Sequence, residues 1–113
     1  MTPPPVAPFR GIRYSPAKVP ELKAVLAPPY DVIDADLQER LYGREPHNIV
    51  RLILGKQSGA DTERDNRYTR AAADFETWQK EKVLHRDAKP ALYIYHQTFE
   101  LEGGRRLVRK GFI

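Results

Sequence analysis

Apolar residues recur along the chain with periods that change from one segment to the next, and each period predicts an element. Between Phe9 and Tyr14 apolar and basic residues alternate, which predicts one short half-buried strand. Leu22–Leu26 has room for a helical turn that Pro28 ends, because the residue before a proline is pushed out of the α region. Asp34 is a good N-cap, Leu37 and Leu41 recur at helical spacing with Tyr42 beside them, and Gly43 is a natural stop. These features predict a short helix over about residues 35–42. Asn48-Ile-Val-Arg-Leu-Ile-Leu54 is an apolar run with one arginine in it, bounded by Pro46 and Gly55, and reads as a buried strand.

After a polar loop over residues 55–60, Asp61 or Thr62 is placed to cap a long helix of about residues 63–82. Its stripe is Tyr68, Ala71, Ala72, Phe75, Trp78 and Val83, with Arg64, Asp65, Glu76, Lys80 and Glu81 around the remainder. A strand over residues 91–101 follows, then the turn signal Glu102-Gly103-Gly104, then a partner strand over residues 105–113. The fold expected is α+β: a mixed or antiparallel sheet from the strands near 9–14, 48–54, 91–101 and 105–113, with the long helix on one face. Residues 1–7 are expected to be a flexible Pro-rich lead and residues 8–113 one domain. The last strand ends on Gly111-Phe112-Ile113 without a cap or polar tail, so the chain is expected to be the N-terminal part of a longer one.

Composition narrows the function classes. The 113 residues suit one domain, and 41% hydrophobic with 30% charged residues is globular rather than disordered composition. Eight of the ten prolines precede residue 30, which makes that stretch an extended, irregular path. Cysteine is absent, which excludes disulfides, thiolate metal sites and cysteine nucleophiles. No apolar run is long enough to span a membrane and the start lacks an apolar signal core, so a cytoplasmic protein without a membrane partner is expected. His47, His85 and His96 lack metal-ligand spacing, so no metal site is expected. P-loop, G-x-G-x-x-G, EF-hand and G-x-S-x-G patterns are missing as well.

The blocks Pro8-Phe-Arg-Gly-Ile-Arg-Tyr14, Ala27-Pro-Pro-Tyr-Asp-Val-Ile33, Asn48-Ile-Val-Arg-Leu-Ile-Leu-Gly55 and Asn66-Arg-Tyr-Thr-Arg-Ala-Ala72 stand in that order. Ala91-Leu-Tyr-Ile-Tyr95 and Arg109-Lys-Gly-Phe-Ile113 follow them. Through these blocks the chain resembles, from about residue 8 to its end, the prokaryotic family called domain of unknown function 1015. The resemblance implies a protein that continues beyond this chain. It also implies a remote, fold-level link to ParB-type partition proteins, sulfiredoxins and free-serine kinases. It implies no established activity.

Two constellations are suited to chemistry. In the first, a proline-stiffened loop holds Tyr30 and Asp31 just before a helix. An ionised carboxylate with restricted rotamers there suits a general base, or a ligand for Mg²⁺ beside a nucleotide's phosphates. The alternative is a turn or cap hydrogen bond for Asp31 and simple packing for Tyr30. In the second, Arg10 and Arg13 lie on the first strand and Arg51 lies inside the apolar run, where a charge needs a partner. That partner is either an acid such as Asp31 or a bound phosphate. Asn48 joins the anion-binding candidates, although in a strand it and Arg51 point to opposite faces.

Asn66, Arg67 and Arg70 open the long helix, whose N-terminus favours anions, but Asp65 and Asp74 flank them as salt-bridge partners. Arg105, Arg106, Arg109 and Lys110, with Tyr93, Tyr95 and Phe99 nearby, form a basic ribbon suited to nucleic acid. Three functions follow as expectations: an enzyme half that binds a phosphate-bearing small molecule or nucleotide, a nucleic-acid-binding module, or a scaffold that packs on the remainder of its own chain.

Overall fold

The computed structural model describes residues 2–113. The fold is α+β, as expected. In chain order it comprises β1 (Ile12–Tyr14), α1 (Ala35–Arg44), α2 (Val50–Ile53), α3 (Arg67–Lys80), β2 (Leu84–Arg86), β3 (Ile94–Glu100) and β4 (Arg106–Phe112). Single 3₁₀ turns at Leu22–Val25 and Tyr30–Val32 precede α1. The chain divides into two compact units, one of residues 13–85 and one of residues up to Ile12 with Arg86–Ile113.

Every buried hydrophobic residue among those described lies in the 13–85 unit: Val19, Val25, Leu41, Val50, Trp78, Val83 and Leu84. One polar side chain shares this core. Asn48 is 0% exposed, and its amide donates to the carbonyls of Ala24 (2.9 Å) and Leu26 (3.0 Å) while its Oδ1 accepts the Val50 N–H. The Ile49 N–H adds a bond to the Val25 carbonyl at 2.7 Å.

These bonds overturn the expected strand at 48–54. With Oδ1 drawn onto the Val50 N–H, the run begins as a helical turn, and Val50–Ile53 is the short helix α2. Arg51 therefore points back at α1. Its guanidinium donates to the Tyr42 carbonyl at 3.1 Å and lies 4.3 Å from the centre of the Tyr42 ring. Its partners are a helix-end carbonyl and an aromatic face, neither Asp31 nor another acid. The opposite-faces argument for Asn48 and Arg51 falls with the strand.

Without that strand the single four-stranded sheet does not form. Two separate two-stranded antiparallel sheets replace it, β1 with β2 and β3 with β4. The pairing of β1 with β2 is flanked by Ser15 N–H to Val83 carbonyl (2.8 Å) and Asp87 N–H to Gly11 carbonyl (2.8 Å).

The long helix starts later than Asp61 or Thr62. Asn66 is its N-cap: the Asn66 side chain accepts from the Tyr68 and Thr69 amides, and the Thr69 hydroxyl accepts from the Asn66 N–H. Asp61 and Thr62 instead close the preceding turn by accepting the amides of Ser58, Arg64 and Asp65. Of the expected stripe, Trp78 and Val83 are buried, whereas Tyr68 and Phe75 are exposed. At the other end Lys82 takes the left-handed conformation (φ 65°), with its N–H on the Gln79 carbonyl and the Val83 N–H on the Trp78 carbonyl. This is a Schellman closure in which the buried Val83 and Trp78 supply the apolar contact.

In the other unit, β3 and β4 run in register from Ile94 opposite Phe112 to Glu100 opposite Arg106. Gly103 and Gly104 both adopt positive φ in the connecting turn, as a glycine pair allows. The unit's polar centre is the Tyr93 hydroxyl, which accepts the Gly11 N–H at 2.7 Å and donates to the Asp87 carboxylate at 2.5 Å. A side chain at position 11 would meet the Tyr93 ring at 2.7 Å, so this approach needs glycine.

Candidate functional site

Two neighbouring depressions in the 13–85 unit share Leu54, Gly55 and Arg67 and form one groove. The first, of about 250 Å³, is lined by Tyr30, by Leu52 and Ile53 of α2 with Leu54 and Gly55 after it, and by Arg67, Tyr68 and Ala71. The second, of about 350 Å³, is bounded by Ile33, Asp34, Gln38 and Gln57.

Each wall has a local cause. Pro29 at φ −54° leads into the 3₁₀ turn that leaves Tyr30 66% exposed at the rim. Asp34 is the α1 N-cap, accepting the Leu37 N–H at 2.8 Å, and the Gln38 amide donates to the Leu54 carbonyl at 2.9 Å, which joins α1 to the groove floor. Gly55 leaves the α2 exit facing Arg67, whose Cβ a side chain at position 55 would meet at ordinary contact distance (3.4 Å).

Arg67 and Arg70 have different fates. Arg70 is committed to Asp61 (3.0 Å), Asp65 (3.1 Å) and the Lys56 carbonyl (2.9 Å). The Arg70 hydrogen bond, with the Ser58 amide, holds the Asp61 carboxyl below the usual carboxylate range. Thus the acids flanking the helix start are drawn to Arg70, and Arg67 is left at the groove. Its guanidinium lies 4.9 Å from the centre of the Tyr68 ring and donates to the Tyr68 hydroxyl at 2.9 Å, while its buried Nε has no acceptor among the described residues. An arginine edge flanked by two tyrosines suits a planar or anionic group.

Tyr30 lines the groove, and Asp31 follows it on an exposed turn. Asn48 is enclosed in the core with its amide fully engaged, and Arg51 is held by Tyr42. Arg13 lies exposed on β1. Arg10 belongs to the other unit, where its Nε donates to the Asp87 carbonyl at 2.7 Å. Within the 13–85 unit, Asn48 and Arg51 are thus engaged by other groups of the protein, Ala24, Leu26 and Val50 for the one and Tyr42 for the other. Alternation also divides the basic ribbon: Arg106 and Lys110 share one face of β4, and Arg105 and Arg109 the other.

No group of three or more metal-ligating side chains occurs among the described residues, and no helix there is long and apolar enough to cross a membrane.

The sequence profile described as "Protein of unknown function (DUF1015)" matches residues 6–113. The chain belongs to the DUF1015 family. The match spans both compact units, so the groove and the β3–β4 hairpin both lie inside the family's domain. No curated protein and no solved structure matches this DUF1015 chain.

Reasoning from sequence missed Arg67 as a groove residue because it weighed Arg67 and Arg70 together. A usable signal was present. Asn66 with Thr69 is a capping pair, and it places Arg67 at the first helical position.

Proposed function

We propose that the groove between Tyr30 and Arg67 binds a small molecule bearing a phosphate, a nucleotide being the fitting class. Arg67 carries this reading: it lines both depressions, and its guanidinium donates to the Tyr68 hydroxyl rather than to a carboxylate, so its charge is available to an anion in the groove. Tyr30 and Tyr68 both line the first depression, and the exposed Tyr30 ring is the aromatic surface for a base or another planar moiety, the Tyr68 ring carrying the Arg67 guanidinium. Asp31 follows Tyr30 on the same exposed turn and lines neither depression; in this reading it is the carboxylate that accepts a proton from a substrate hydroxyl or shares Mg²⁺ with the phosphates. The reaction this suits is phosphoryl transfer.

The division of the ribbon's cations between two faces favours this reading over a nucleic-acid track, which needs its charges on one surface. A thermal-shift series with ATP and Mg²⁺, AMP and inorganic phosphate tests it, because a ligand bound only by the native state raises the melting temperature. The nucleotides should stabilise the chain, Arg67→Gln should abolish the shift, and Asp31→Asn should keep the shift but lose turnover. An unchanged shift in Arg67→Gln overturns the assignment.

A further inference from the structure

The β3–β4 hairpin has two open edges, and its hydrogen-bond phase says which backbone groups they present. Leu101 N–H donates to the Arg105 carbonyl and Ile113 N–H to the Tyr93 carbonyl. Bonded pairs alternate with non-bonded ones in an antiparallel ladder, so the backbone groups of Arg106, Val108, Lys110 and Phe112 point outward. No strand pairs with that edge among the described residues.

Charge on this strand has a pattern of its own. From Arg105 to Ile113 it carries Arg105, Arg106, Arg109 and Lys110 and no acid. Glu100 lies 3.3 Å from Arg106, an exposed pair worth little, whereas Arg109 faces Gln97 and Lys110 faces His96. The cations come as adjacent pairs four residues apart, one member of each pair on either face. Leu107 and Val108 between them, and Phe112 and Ile113 beyond, are exposed apolar side chains.

We propose that the outer edge of β4 receives an extended acidic peptide segment of a partner protein by strand addition. An added strand presents side chains to both faces at once, as the split cations require, and its backbone completes the open ladder. Carboxylates in adjacent pairs with two apolar residues between them match the Arg-Arg-Leu-Val-Arg-Lys order. A second copy pairing through β4 would bring two strands together that carry four cations and no acid each, which charge repulsion disfavours.

Fluorescence anisotropy with labelled peptides and the full chain tests this. One probe repeats Glu-Glu-Val-Val; its control repeats Glu-Val, with the same composition but every carboxylate on one face. The paired pattern should bind at least about tenfold more tightly, weaken with salt, and weaken by a similar factor in the exposed double variant Arg109→Glu with Lys110→Glu. N-methylating one alternate set of the probe's amides should abolish binding while the other set is tolerated, a readout independent of how any variant folds. Equal affinity for the two patterns, indifference to both methylations, or tighter binding of a single-stranded oligonucleotide of matched charge overturns the proposal. So does a concentration-dependent dimer that excludes the peptide, or loss of peptide binding in a chain extended beyond Ile113 whose added residues pair with this edge.

Discussion

Asn48 and Tyr14 show how single side chains fix the 13–85 unit. Truncating Asn48 strips the Ala24 and Leu26 carbonyls and the Val50 amide of their partner inside the core. Asn48→Ala should therefore cost about 3 kcal/mol in urea denaturation, more than an exposed asparagine would. The Tyr14 hydroxyl donates to the His47 carbonyl at 2.6 Å, and burial, with the Glu45 carboxylate, pushes its pKa up from 10.0 to about 12. A phenol whose folded pKa is raised contributes stability that is complete below the unfolded value and lost as pH rises through the folded one. Thermal melts should show stability falling between pH 10.0 and about 12, and Tyr14→Phe should lose that part of the decline. Neither role was legible in the sequence. Asn48 reads as the polar start of a strand, and what makes it a core residue is a pair of carbonyls in a distant proline-rich segment.

Among the elements, those whose ends are chemically marked were legible. α1 lies within two residues of its expected span because Asp34 caps it, and the hairpin turns where the glycine pair stands. The run 48–54 was not legible, because a short apolar run has no period that separates a strand from a helical turn. Tertiary hydrogen bonds from Asn48 and Ile49 decided it. The α3 start was misplaced because Asp61 and Thr62 are cap-type residues too, and the choice of Asn66 rests on its reciprocal bonds with Thr69. The far end of α3 carries a removable cost. Lys82 holds φ 65°, a conformation unfavourable for a side chain with a Cβ, so Lys82→Gly should raise stability by about 0.5 to 1 kcal/mol in equilibrium unfolding despite glycine's greater unfolded-state entropy.

At the scale of the whole molecule, the two units differ in what holds them. Residues 13–85 contain all the buried hydrophobic side chains described, while β3 and β4 expose apolar residues such as Ile94, Val108 and Phe112. Amide exchange should follow this division, with β3 and β4 exchanging faster than the interior amides of α1 and α3; equal protection would contradict it. The candidate groove belongs to the better-packed unit. Its tyrosine was legible as part of a stiff loop, but its arginine was not, because Tyr30 and Arg67 meet only through the packing of α2 against α3. The central claim is that Arg67 meets a bound phosphate. Its most direct test follows the arginine Hε–Nε resonances by NMR during titration with ATP and Mg²⁺, the Arg67 signal being identified by its absence in Arg67→Gln. The account predicts that the Arg67 resonance moves and saturates with the ligand while that of Arg70, held by Asp61 and Asp65, stays in place. Saturable binding that leaves the Arg67 resonance unmoved would contradict it.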